Sequence, residues 1–163
     1  MAGPPAAGKT QFASRFVLEH PEFKFCSIDA YRVEHKNEDK AWQHFQEDII
    51  KNKDVIVESC GLGWRLEKVF EACSGRKIFT VAFIGDFNEI YERLSQRQHK
   101  RPIDYDYDLS DEFAAISYVL ENIDQVCYDM IIDTSTVAVE EQYQFLSRNI
   151  ALERVKELTG ENE

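Results

Sequence analysis

The first ten residues, MAGPPAAGKT, constrain this chain more than any other stretch. Gly3, Gly8, Lys9 and Thr10 have the spacing G-x-x-x-x-G-K-[ST], in which a loop of backbone N–H groups wraps phosphate oxygens. Glycine is wanted at both ends of the loop, because a side chain would keep the backbone from the anion or forbid a positive φ. In this pattern Lys9 reaches the β- and γ-phosphates and Thr10 holds Mg²⁺ through its hydroxyl. The helix that follows then aims its positive end at the same charge. Four specified positions coincide by chance in a chain of this length about half a percent of the time. The apolar positions Phe12, Ala13, Phe16 and Val17 fall at helical spacing directly behind the loop. Such a loop normally springs from a buried strand of about five residues, and here only Met1 and Ala2 stand in front of Gly3. The expectation is that the recorded chain starts late and that a strand feeds the loop.

The remainder reads as strands and helices in alternation. Apolar runs at Phe23–Ile28, Asp54–Val57, Ile78–Ile84 and Met130–Ile132 predict strands, and helical periodicity covers 9–19, 38–51, 62–73, 86–98, 110–123 and 138–158. Alternation of this kind argues for an α/β fold, a mainly parallel sheet with helices on both faces, whose ligands bind beyond the carboxyl ends of the strands. The 163 residues, 44% of them hydrophobic, suit one domain, 1–163, with a sizeable core. No repeat, low-complexity linker or Pro-rich hinge divides it.

Charge narrows the partners. Nineteen Lys and Arg stand against 30 Asp and Glu, a formal charge of −11, which disfavours nonspecific grip on nucleic acid or on an anionic membrane. Cysteines at 26, 60, 73 and 127 show no C-x-x-C spacing and predict free thiols in a reducing compartment. No signal-peptide pattern and no apolar run near 18 residues is present, so a cytoplasmic location is expected. The four histidines are scattered and suggest no metal site. The acidic stretch DYDYDLSDE lacks the glycine and the twelfth-position Glu of an EF-hand, so calcium is not expected there.

The polar residues at the strand ends are the candidates for chemistry. SIDAYR places Asp29 and Arg32 after the first apolar run: a carboxylate to take a hydroxyl proton, and a guanidinium to orient an acceptor. The alternative is a helix cap with a surface arginine. VIVESC brings Glu58 to the next strand end, where it serves either a Mg²⁺-bound water or a salt bridge to Arg32. GLGWR then offers Arg65 as an acceptor-side contact. In IGDFNEIYERLSQRQHKRP, Arg93 and Arg97 are four apart on one helical face and Lys100 and Arg101 follow. Such a cluster suits triphosphate charge developing in a transition state, or else pairing with Asp86, Glu89 and Glu92.

GPPAAGKT, SIDAYR, VIVESCGLGWR, ERLSQRQHKRP and YDMIIDTSTVAVEE, in this order, resemble the small P-loop kinases of the polynucleotide-kinase-like and zeta-toxin-like group, cousins of shikimate, gluconate and adenylylsulfate kinases. The resemblance covers nearly the whole chain. It implies a three-layer P-loop NTPase sandwich with a five-stranded parallel sheet of order 2-3-1-4-5, counting the strand that feeds the loop as the first. It implies that Gly3, Pro4, Pro5, Ala6, Ala7, Gly8, Lys9 and Thr10 bind the phosphates of ATP, with Thr10 and Glu58 toward Mg²⁺. Asp29 is then the general base, and Arg32 and Arg65 lie on the acceptor side. Arg93, Arg97 and Arg101 resemble lid arginines in a segment at about 97–112, and Asp133 and Thr134 fall where such kinases contact adenine. The activity implied is transfer of the γ-phosphoryl group of ATP to a hydroxyl of a sugar, nucleoside or nucleotide-linked metabolite. A polynucleotide 5′-hydroxyl kinase and a nucleotide-gated switch without transfer are the alternatives.

Overall fold

The computed structural model describes residues 1–98 and 109–159. The loop glycine Gly8, with φ +94°, turns the backbone into α1 (Lys9–Glu19). β1 (Lys24–Ser27) leads without a break into α2 (Ile28–His35), and α3 (Glu38–Lys51) follows after two residues. The rest of the order is β2 (Val55–Glu58), α4 (Gly63–Ala72), β3 (Val81–Ile84), α5 (Phe87–Gln98), α6 (Leu109–Asn122), a 3₁₀ turn at Ile123–Gln125, β4 (Met130–Asp133) and α7 (Val139–Thr159). Local chemistry explains the starts. The Asn37 side chain accepts from the Lys40 N–H at 2.9 Å to begin α3, and Asp86 Oδ1 accepts from the Asn88 and Glu89 N–H groups ahead of α5.

The strands form two parallel pairs. β1 lies beside β2 with Lys24 opposite Val55, and β3 lies beside β4 with Val81 opposite Met130. Residues 1–3 run between the pairs and bond to both. The Met1 amino group donates to the Val57 carbonyl at 2.7 Å and the Met1 carbonyl accepts from Ser59 N–H at 3.1 Å. On the other side Ala2 donates to Val81 O and accepts from Phe83 N–H, each at 2.8 Å. The loop therefore leaves from a hydrogen-bonded segment. A cavity of about 600 Å³ lies beyond Met1 toward the amino ends of β2 and β3, lined by Val55, Val57, Phe79 and Val81, and faces away from the loop.

Side chains alternate across the strands, as a pleat requires. In β3, Val81 and Phe83 pack with Phe12 and Phe16 of α1 and Tyr143 and Leu146 of α7, whereas Ala82 packs on Leu62, Val119 and Ile123. A further cluster joins Cys26 and Ile28 to Trp42, Phe45, Ile49 and Val69, spanning α3 and α4. Complete burial of rings such as Phe16 and Phe83 contributes about 1.5–3 kcal/mol each. All four cysteines are free thiols. No helix among the described residues is long and apolar enough to cross a membrane.

The helix boundaries expected from periodicity agree with the structure to within a residue or two; the missed element is α2. Only Ile28 of its eight residues is buried, so it carries no apolar period to read. Strand β3 is shorter than Ile78–Ile84, because residue pairing with β4 begins at Val81.

Candidate functional site

All strands point their carboxyl ends at the P-loop, and the polar residues that follow them gather there. A cavity of about 480 Å³ is lined by the loop from Gly3 to Thr10 except Pro4, together with Asp29, Arg32, Trp42, Glu58, Arg65, Arg93, Arg97 and Glu112. Pro4 is itself buried and offers its carbonyl to Lys9.

Lys9 opens α1 and is buried. Its ammonium donates to Gly3 O at 2.9 Å and Pro4 O at 2.7 Å and stands 4.0 Å from Glu58 Oε1. Burial pulls its pKa down, and the Glu58 carboxylate opposes that pull. Thr10 donates its hydroxyl to Glu58 Oε1 at 2.8 Å. Glu58 Oε2 is buried with no hydrogen-bond partner among the described residues. An orphaned carboxylate oxygen beside a loop threonine is a donor set suited to Mg²⁺ or to one of its waters. Among the described residues no three His, Cys, Asp or Glu side chains cluster as a metal site.

The salt bridge between Glu58 and Arg32 is not formed, since Arg32 has other partners. Its Nη1 donates to Asp29 Oδ1 at 2.9 Å, and its Nε and Nη2 donate to the Glu38 carboxylate at 2.8 and 2.6 Å. Ser27 occupies the N-cap of α2, so Asp29 is no cap; it stands in the first turn, at the cavity wall. The fork from Arg32 holds the Glu38 carboxyl down to about 2, with burial acting against it and the Trp42 indole assisting. Arg65, on α4, lines the cavity and lies 5.3 Å over the Trp64 ring.

Arg93 and Arg97 both reach the cavity from α5. Arg93 pairs with Glu89 at 2.8 Å and donates to Thr134 Oγ1 and O at 3.0 and 3.1 Å. Arg93 also lines a second cavity of about 220 Å³, which shares Ala6–Gly8 with the first and is lined further by Thr134, Val139 and Tyr143. Asp133 lines neither cavity; its Oδ1 accepts from the Ser135 N–H in the turn after β4. Arg101 and most of the 97–112 segment lie outside the described residues. Sequence reasoning passed over Glu38, Trp42 and Glu112. The first two are visible only as the start of a helix, and Glu112, buried at the cavity wall, reads as an ordinary first-turn acid.

Solved structures that share this fold include one gluconokinase and two shikimate kinases by name. A gluconokinase from Sinorhizobium meliloti 1021 aligns with a TM-score of 0.59 at 16% identity, over 93% of this chain and 94% of its own. A shikimate kinase from Acinetobacter baumannii in complex with shikimate gives 0.61 at 17%, over 95% and 93%. A shikimate kinase from Bacteroides thetaiotaomicron gives 0.56 at 16%, over 98% and 96%. This is the fold of the small P-loop kinases. No family model matches the chain and no curated protein does. At such identities the likeness of the P-loop kinase fold extends to backbone and topology, and the side chains of the site stand on their own geometry.

Proposed function

We propose that this protein is an ATP-dependent kinase that transfers the γ-phosphoryl group to a hydroxyl of a small molecule. The observation that carries the proposal is the meeting, in one cavity, of the loop that binds phosphate and a carboxylate on a separate helix: Lys9 and Thr10 on one wall, Asp29 on another. A protein that only binds or hydrolyses nucleotide has no need of the second wall. Support also comes from the fold neighbours, which are named as a gluconokinase and shikimate kinases.

In this reading the loop N–H groups and Lys9 hold the β- and γ-phosphates, which requires the ammonium to leave the carbonyls of Gly3 and Pro4. Thr10 and Glu58 hold Mg²⁺, which when bound neutralises phosphate charge. The acceptor oxygen forms a bond to the γ-phosphorus as the bond to the β–γ bridging oxygen breaks. ADP departs with that electron pair, and the acceptor proton passes to Asp29. Arg93 and Arg97 meet the charge that spreads over the transferred group, and the smaller cavity lined by Arg93 and Thr134 receives the adenine. The same reading places residues 1–3 at the central position of a 2-3-1-4-5 order, supported by their bonds to both β2 and β3.

The test is transfer from γ-labelled ATP with Mg²⁺ to a panel of sugars, hydroxy acids, nucleosides and oligonucleotides. Label on a small hydroxyl compound, lost in Lys9→Ala, is expected. Label on oligonucleotides alone would make it a polynucleotide kinase, and ATP binding without any labelled acceptor would leave a switch.

A further inference from the structure

Arg32 is held on three sides by carboxylates. Its side chain is 21% exposed, and its three donating nitrogens are all engaged: Nη1 by Asp29, Nε and Nη2 by the two oxygens of Glu38. The contact to Glu38 is a fork of two nearly parallel N–H···O bonds, which fixes a guanidinium in plane as well as in distance. Glu38 is fixed in turn. Its Oε1 also accepts from Trp42 Nε1 at 2.9 Å, and Trp42 is buried with its ring edge against Phe45 and its indole beside Trp64. The backbone brings these groups together through one short turn, in which Lys36 takes a left-handed φ of +51° and Asn37 caps α3. A rigid path thus leads from the core at Trp42 through Glu38 and Arg32 to the Asp29 carboxylate on the cavity wall.

Geometry of this kind addresses a specific problem. Asp29 is largely exposed on a short helix with a single buried residue, so its carboxylate would otherwise sample several rotamers. An arginine beside it without a second acid would turn two free donors toward the cavity and pair with any anionic acceptor. Glu38 engages those two donors and fixes the plane of the guanidinium that holds Asp29.

We infer that Glu38 is a positioning residue for phosphoryl transfer: acting through Arg32, it holds the Asp29 carboxylate in the orientation that receives the acceptor hydroxyl. This rests on the kinase reading above, with Asp29 as the base.

The experiment is a double-mutant cycle on the full chain, using the best acceptor from the labelled-ATP screen. Glu38→Gln keeps an oxygen for the Trp42 indole and removes the charged fork. It is expected to lower kcat about ten- to hundred-fold, the cost of a misplaced reacting group, with affinity for Mg·ATP measured by calorimetry within about two-fold of the parent. In an Asp29→Asn background the same substitution is expected to change the rate by less than about two-fold, because a residue that acts only through Asp29 has nothing left to position. Equal losses in both backgrounds would overturn the proposal, as would parent-like turnover in Glu38→Gln. A fall in Mg·ATP affinity that matches the fall in kcat would overturn it too, by showing a general structural role. A parent protein that labels no acceptor would instead sink the kinase reading itself, and this role with it; the two failures are told apart by the parent lane alone.

Discussion

The Thr10 hydroxyl donates to Glu58 Oε1 at 2.8 Å, tying the first turn of the loop helix to the carboxyl end of β2. The second carboxylate oxygen stays buried and without a partner among the described residues. Glu58 thus lies close to Lys9 with one oxygen bonded to Thr10 and the other unsatisfied among the described residues, an arrangement suited to a cation or its water. Glu58→Gln should raise the Mg²⁺ concentration needed for half-maximal transfer by about 10- to 100-fold, the usual cost of losing a partner around a bound metal. A Mg²⁺ titration at saturating ATP checks it. An unchanged midpoint would leave Glu58 as a fastener for Lys9 and Thr10.

Lys9→Ala should abolish transfer and weaken ATP binding by calorimetry, since an ammonium at the β- and γ-phosphates acts in ground and transition states alike. Unchanged turnover in the folded variant would remove the loop from the mechanism.

Two glycines of the loop separate space from conformation. A Cβ on Gly3, at φ +136°, would meet the Phe83 carbonyl oxygen at 2.2 Å, whereas one on Gly8, at φ +94°, would meet nothing within 4 Å. Gly3→Ala should cost about 2–4 kcal/mol, combining backbone strain with overpacking against β3. Gly8→Ala carries the conformational part only, about 1–2 kcal/mol. Denaturant unfolding of the two variants side by side gives the difference, and equal losses would refute the assignment.

Asp29→Asn should keep the fold and the affinity for Mg·ATP while transfer falls by roughly 10²–10⁴, the range for a general base. Phosphoryl transition states are loose, so the lower end of that range is the expectation. Turnover within a few-fold of the parent would reduce Asp29 to a helix-terminus charge.

How much of this was legible in the chain follows from the range of each interaction. The loop, the helix behind it and the alternation of strand and helix depend on neighbours a few residues apart, so spacing alone displays Gly3 through Thr10, Phe12 and Phe16, and the helix boundaries to within a residue or two. Asp29, Arg32 and Glu58 stood out as polar residues behind apolar runs, a consequence of where a parallel sheet exposes its strand ends. Their partners did not. The sequence offered Glu58 a Mg²⁺-bound water or a salt bridge to Arg32, and only the placement of β2 beside the loop sets its carboxylate against Thr10, 48 residues away. Arg32 in turn goes to Glu38, because the unforeseen helix α2 folds back on α3 and sets the guanidinium against that carboxylate. Hydrophobic periodicity records which face of a segment is buried, and ion pairs between exposed faces leave no mark in it. The sequence by itself determined the phosphate loop and the kind of sheet that carries it; which charges meet around that loop was decided only when the helices packed.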